Sequence, residues 1–176
     1  MHKNVVRSLV SAVAAGILFS TSAATMAAQD SASSDITLSF TPTIEIAAVG
    51  DVSITDPALG SDAVASEDFC IGGFGFPTFS ITFESDDDNN DPAFTLTDGA
   101  GLEVPYSVGF DNSTSGTFTA VNAGQAVTGQ TRNAASCSGS DNARFQITVA
   151  NGDWQTSDVL NGTDYTDTLL ITVASE

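Results

Sequence analysis

Past Arg7 this sequence contains no lysine, and His2 is its only histidine. Those absences exclude a good deal of chemistry. The commonest general base and the usual Schiff-base nucleophile are both missing from the bulk of the chain. Serine is abundant, but none sits in a G-x-S-x-G elbow, and no Ser-based triad can be assembled without a base. Positive charge is also scarce: Arg132 and Arg144 are the only bases after the first residues, against 22 acids. Nucleic acid and anionic membrane would be repelled by such a surface. The acidity also serves solubility, and it suits saline surroundings where screening is strong. Beyond the first segment, no apolar run is long enough to cross a bilayer.

The first segment has its own logic. "MHKNVVR" is basic, "LVSAVAAGILF" is apolar and short, and "SAATMAAQ" supplies small residues for cleavage near Ala27 or Ala28. That is the layout of a secretory signal peptide over residues 1–28. The remaining chain of roughly 148 residues suits one domain with a real core. Cys70 and Cys137 are then an isolated pair in an exported protein, which reads as one disulfide.

What remains is rich in alternation. "DITLSFTPTIEI" places Ile36, Leu38, Phe40, Ile44 and Ile46 on one face and polar residues on the other. The same period of two recurs at Phe79–Phe83, Val104–Phe110, Phe145–Val149 and Leu169–Val173, with a short strand expected around Val52–Thr55. Weaker edge strands are expected around Phe118 and Val127. Asp98-Gly99 is a hairpin-type turn. Seven to nine short strands, turn-rich connections and one disulfide predict an all-β sandwich of immunoglobulin-like type.

Three candidate sites compete with plain structure. In "SDDDNND", Asp86, Asp88 and Asn90 fit the start of a calcium loop, but Asp91 replaces the tight-turn glycine and Thr97 the bidentate glutamate. A hydrated hairpin tip fits better, so no metal and no cofactor are expected. Trp154 or Tyr106 could stack on a sugar if exposed. A facing carboxylate pair could hydrolyse glycosides, yet so many acids read more simply as solvated strand and turn residues. No enzymatic activity is expected.

The two ends of the chain belong together. The final strand stops at Val173, close to the last residue, and a sandwich ending there leaves an unpaired sheet edge, a template for another strand. The segment beginning at Asp35 is such a strand on a flexible leader. Donated from one molecule to the next, it would make an open head-to-tail fibre. Burial of its five apolar side chains gives a gross term of order 10 kcal/mol, offset in part by the ordering of the segment.

"DITLSFTPTIEIAAVGDVSI", "DFC", "LEVPYSVGF", "CSGSDNARFQITV" and the ending "GTDYTDTLLITVASE" together resemble exported chaperone–usher pilus subunits. The likeness is to the archaic and alternative branches, including spore coat protein U-type domains. The resemblance implies an incomplete immunoglobulin-like sandwich, 47–176, completed by the donated strand of a leader segment, 29–46. It implies donor residues Ile36, Leu38, Phe40, Ile44 and Ile46, an acceptor edge at Leu169, Ile171 and Val173, and Cys70–Cys137 as the staple. It implies other pilin subunits, a periplasmic chaperone and an outer-membrane usher as partners, and export to the cell surface. Tip adhesins of such systems usually carry a second, binding domain, so a shaft subunit is expected. The rival expectation is a self-contained secreted sandwich that binds a ligand such as carbohydrate, with Ile36–Ile46 as its own first strand.

Overall fold

The computed structural model describes residues 30–86, 93–160 and 164–176. The segment expected to be a signal peptide, the acidic run from residue 87 to 91 and the Asn161-Gly162-Thr163 triplet lie outside them. The chain forms two compact units, Met1–Thr37 and Leu38–Glu176. Of the first, residues 30–37 are exposed and free of helix or strand.

Among the described residues the second unit carries every element. In order these are β1 (Thr43–Ala47), β2 (Ala63–Phe74), β3 (Thr78–Ser85), β4 (Thr95–Thr97), β5 (Glu103–Pro105), β6 (Ser107–Asp111), β7 (Thr119–Val121), β8 (Val127–Thr131), β9 (Ala143–Val149), two single-turn helices α1 (Asn151–Trp154) and α2 (Ser157–Leu160), and β10 (Leu169–Ser175). One sheet runs β1-β2-β9-β6-β7, a second β10-β3-β8, and β4 pairs with β5. All ladders are antiparallel.

The period-two runs explain the layering. Phe69 and Ile71 of β2, Phe79, Ile81 and Phe83 of β3, Val108 and Phe110 of β6, and Phe145 of β9 are buried. Phe83 stands 5.7 Å from Phe110 and 6.3 Å from Phe145, ring centre to ring centre, so the two main sheets meet through these aromatic rings. Phe69 completes the cluster at 6.4 Å from Phe110 and 5.9 Å from Phe145. Tilted rings at these separations add attraction beyond area burial. This is an all-β, immunoglobulin-like sandwich.

Cys70 and Cys137 are bonded, with Cα atoms 5.6 Å apart. Cys70 is opposite Ala47 in the β1–β2 ladder, and the Cys137 amide donates to the Glu45 carboxylate, so the bridge backs onto β1. The double substitution C70A/C137A should lower unfolding free energy by about 4 kcal/mol in the chain-entropy model, measurable by denaturant titration.

Two expectations change. The alternating run from Asp35 becomes a strand only from Thr43, after Pro42. The segment around Val52–Thr55 is not a strand: Ala48 (φ 62°) and Asp56 (φ 48°) bracket it in the left-handed region. Val52 and Ile54 nevertheless pack on the core. Alternation registers which side chains turn inward, and that condition is met here without a ladder.

The β4–β5 turn is longer than a two-residue hairpin. The Asp98 carboxylate accepts from the Ala100 and Leu102 amides at 2.7 and 3.0 Å. Hydrogen bonds from Ala100 first, then Leu102, hold its carboxyl below the ordinary 3.8. Its stabilisation is therefore complete above that pH and disappears as pH falls through the lower folded value. The melting-temperature gap between wild type and Asp98→Asn should close on acidification below about 4.

Candidate functional site: an open groove beside the last strand

Among the described residues β10 has β3 as its one hydrogen-bonded strand partner, and β1 also approaches it without a ladder. The register fixes what its other edge presents. The Asp86 amide donates to the Thr168 carbonyl at 3.0 Å and the Glu176 amide to the Thr78 carbonyl at 2.8 Å. These are directly opposed residues, since Leu169 opposes Ser85 and Ser175 opposes Phe79. In an antiparallel ladder, hydrogen-bonded and non-bonded pairs alternate. Leu170, Thr172 and Ala174 therefore bond to β3, while Leu169, Ile171 and Val173 turn both backbone polar groups toward the outer edge.

The same three residues send their side chains inward. Leu169, Ile171 and Val173 pack against the core but stay only half-buried, whereas Phe79, Ile81 and Phe83 of the adjacent strand are fully buried. Beside β10 lies a groove of about 1010 Å³, lined by residues 49–57, by 164–169 and by Ile171. Its apolar wall includes Phe145, Ile147 and Val149 of β9. A strand laid there would meet backbone groups on one side and apolar surface beneath.

Charge in the groove has one sign. Asp51, Asp56, Asp164 and Asp167 line it, with no lysine or arginine. Asp167 accepts from the Tyr106 phenol at 2.5 Å and the Ser85 hydroxyl at 2.7 Å, tying the approach to β10 down to β3 and the core. Desolvation pushes the Tyr165 phenol up, and the charges of Asp98 and Asp158 add to it. Arg132 and Arg144, the two arginines among the described residues, are occupied elsewhere. Arg132 donates to the Gly73 and Phe76 carbonyls at 2.7 and 3.0 Å. Arg144 pairs with Asp111 at 3.1 Å and lies over the Phe118 ring.

The residues expected to act as a donor divide into two sets. Ile44 and Ile46 belong to β1, whose ladder with β2 places them opposite Gly73 and Ile71, and both pack on their own core. Ile36, Leu38 and Phe40 are exposed, at 93, 77 and 57 %. The division falls at Pro42, which has no amide to give a ladder and restricts the residue before it. The two candidate sugar platforms are not surfaces. Trp154 is buried with its indole N–H donating to the Ser61 carbonyl at 3.2 Å, and Tyr106 is buried with its phenol committed to Asp167.

No protein-family model and no curated protein matches the sequence. Solved structures do. The chain is similar to one in a chaperone–tip adhesin complex described as vital for synergistic activation of CFA/I fimbriae biogenesis. The identity is 20 %, over 76 % of this chain and 42 % of that one, with a TM-score of 0.53. It is also similar to CfaE, the adhesive subunit of the CFA/I fimbria of enterotoxigenic Escherichia coli. There the identity is 13 %, over 68 % of this chain and 43 % of that one, with a TM-score of 0.38. The chain thus spans less than half the length of either. The first likeness is one of fold, and it agrees with the immunoglobulin-like sandwich described above.

Proposed function

We propose that this chain is a structural subunit of a cell-surface fimbria, joined head to tail. The segment carrying Ile36, Leu38 and Phe40 enters the groove beside β10 of the next copy. The observation that carries this reading is the outer edge of β10, where Leu169, Ile171 and Val173 offer backbone groups and the first two line a groove whose floor is apolar. An exposed alternating segment in the same chain is a matching ligand: three apolar side chains, two residues apart. Backbone pairing would supply strength and the alternate side chains would supply fit. Ile44 and Ile46 stay in β1, so the donated part ends at Pro42.

The fold shared with a chain of a chaperone–tip adhesin complex, and the sequence resemblance to archaic and alternative pilins, support export through a periplasm with a chaperone and an usher as partners. A chain that carries both an exposed segment to donate and a strand edge to accept one fits a shaft position. The test is chain termination. A synthetic peptide of residues 30–42, added while the full exported chain refolds, should shorten the polymers in proportion to its concentration. Polymers of unchanged length would overturn the reading, and so would a chain that stays a single copy under all conditions. The second outcome would favour the self-contained secreted module.

A further inference from the structure

We infer that Phe74, at the end of β2, is a contact residue between successive copies of this chain, a conclusion that rests on the donor-strand reading above. The argument starts from how Pro42 and Thr43 are held. A side chain on Gly73 would collide with the Thr43 carbonyl and the Phe76 ring. One on Gly75, which sits at φ 85°, would come 3.1 Å from the Pro42 Cα. The chain entering β1 therefore lies flat on the end of β2, as only glycine permits. Arg132 braces this platform through the Gly73 and Phe76 carbonyls and lies over the Phe76 ring.

Phe74 stands between these two glycines and is 48 % exposed. Its partner is Phe40, edge-on with ring centres 5.1 Å apart and itself largely exposed. Two adjacent exposed phenylalanines on so acidic a chain call for a cover. Phe40 is the donor residue nearest the anchor. It lies two residues before Pro42, a span of at most about 7 Å. When Phe40 enters the groove of the next copy, the platform that holds Pro42 brings Phe74 to the rim of that groove. The rim is apolar in part: Val49 and Leu160 line the groove and are exposed large hydrophobics. The occupant that covers Phe74 is thus a second copy of this chain.

The test uses the full exported chain with a photoreactive benzoylphenylalanine in place of Phe74, and in a second sample in place of Val64, which is equally exposed at 48 % on the same strand. In polymers, position 74 should give chain-to-chain products and position 64 should not. Phe74→Ala should still polymerise, and its polymers should release subunits about tenfold faster, the equivalent of 1.4 kcal/mol. Polymers in which position 74 reacts only within its own chain, or in which Phe74→Ala dissociates at the wild-type rate, would overturn the inference. Absence of polymer in every sample, wild type included, would overturn the donor-strand reading and the Phe74 contact with it.

Discussion

Leu38→Asp is expected to leave the domain folded and to abolish chain-to-chain joining. Leu38 is one of the most exposed large apolar residues described, so its replacement removes nothing from its own core. Exposed substitutions of this kind shift stability by about 0.5 kcal/mol or less. In a neighbour's groove the accounting is different. Burying a leucine there contributes roughly 1.5–3 kcal/mol. An aspartate loses that and brings a carboxylate among Asp51, Asp56, Asp164 and Asp167, with no arginine to meet it. Adding several kcal/mol for an uncompensated charge, joining should weaken by roughly a thousandfold or more. Sedimentation should find single copies, and a thermal melt should overlay the wild-type domain. A lowered melting temperature would place Leu38 in its own core instead.

Ile171→Pro and Thr172→Pro, one residue apart, should differ in kind. The Thr172 amide belongs to the β10–β3 ladder, as the alternation from Thr168 to Glu176 requires. Proline there removes an internal ladder hydrogen bond and should cost roughly 1–3 kcal/mol for the orphaned carbonyl, a large share of the stability of an ordinary domain. The Ile171 amide points to the outer edge, where proline is tolerated in sheets. That variant should stay folded, with a loss of roughly 1–2 kcal/mol for the half-buried side chain, and should fail to accept a strand. Circular dichroism reads the first difference and polymer length the second. Equal unfolding of both would refute the register argument.

Much of the sandwich is legible in the sequence because its core strands are strictly alternating. Phe79, Ile81 and Phe83 announce β3, and Phe145, Ile147 and Val149 announce β9, since a period of two with one buried face leaves little freedom of register. The disulfide is legible because the sequence holds two cysteines, which have only each other. The division of Asp35–Ile46 is harder to read. The alternation runs through Pro42 without a break, and only the missing amide and the approach to Gly73 and Gly75 separate the exposed half from the paired half. Val52 and Ile54 illustrate the opposite case, inward-facing side chains with no ladder. Trp154 and Tyr106 lose their candidacy as sugar platforms to local hydrogen bonds with Ser61 and Asp167, which no spacing encodes. An unpaired edge on the last strand is an expectation from the sequence, but hydropathy does not say which of its residues turn their backbone groups outward. That follows from which residues oppose Thr168 and Glu176, a matter of pairing rather than hydropathy.

Residue-resolved hydrogen exchange on β10 tests the central claim most directly, comparing single copies of the Leu38→Asp chain with wild-type polymers. In single copies the amides of Leu169, Ile171 and Val173 should exchange fast while those of Leu170, Thr172 and Ala174, bonded to β3, exchange slowly. In polymers all six should be slow, because the donated strand takes up the outer edge. Odd-numbered amides already as protected as Thr172 in single copies, or still fast in polymers, would contradict the account.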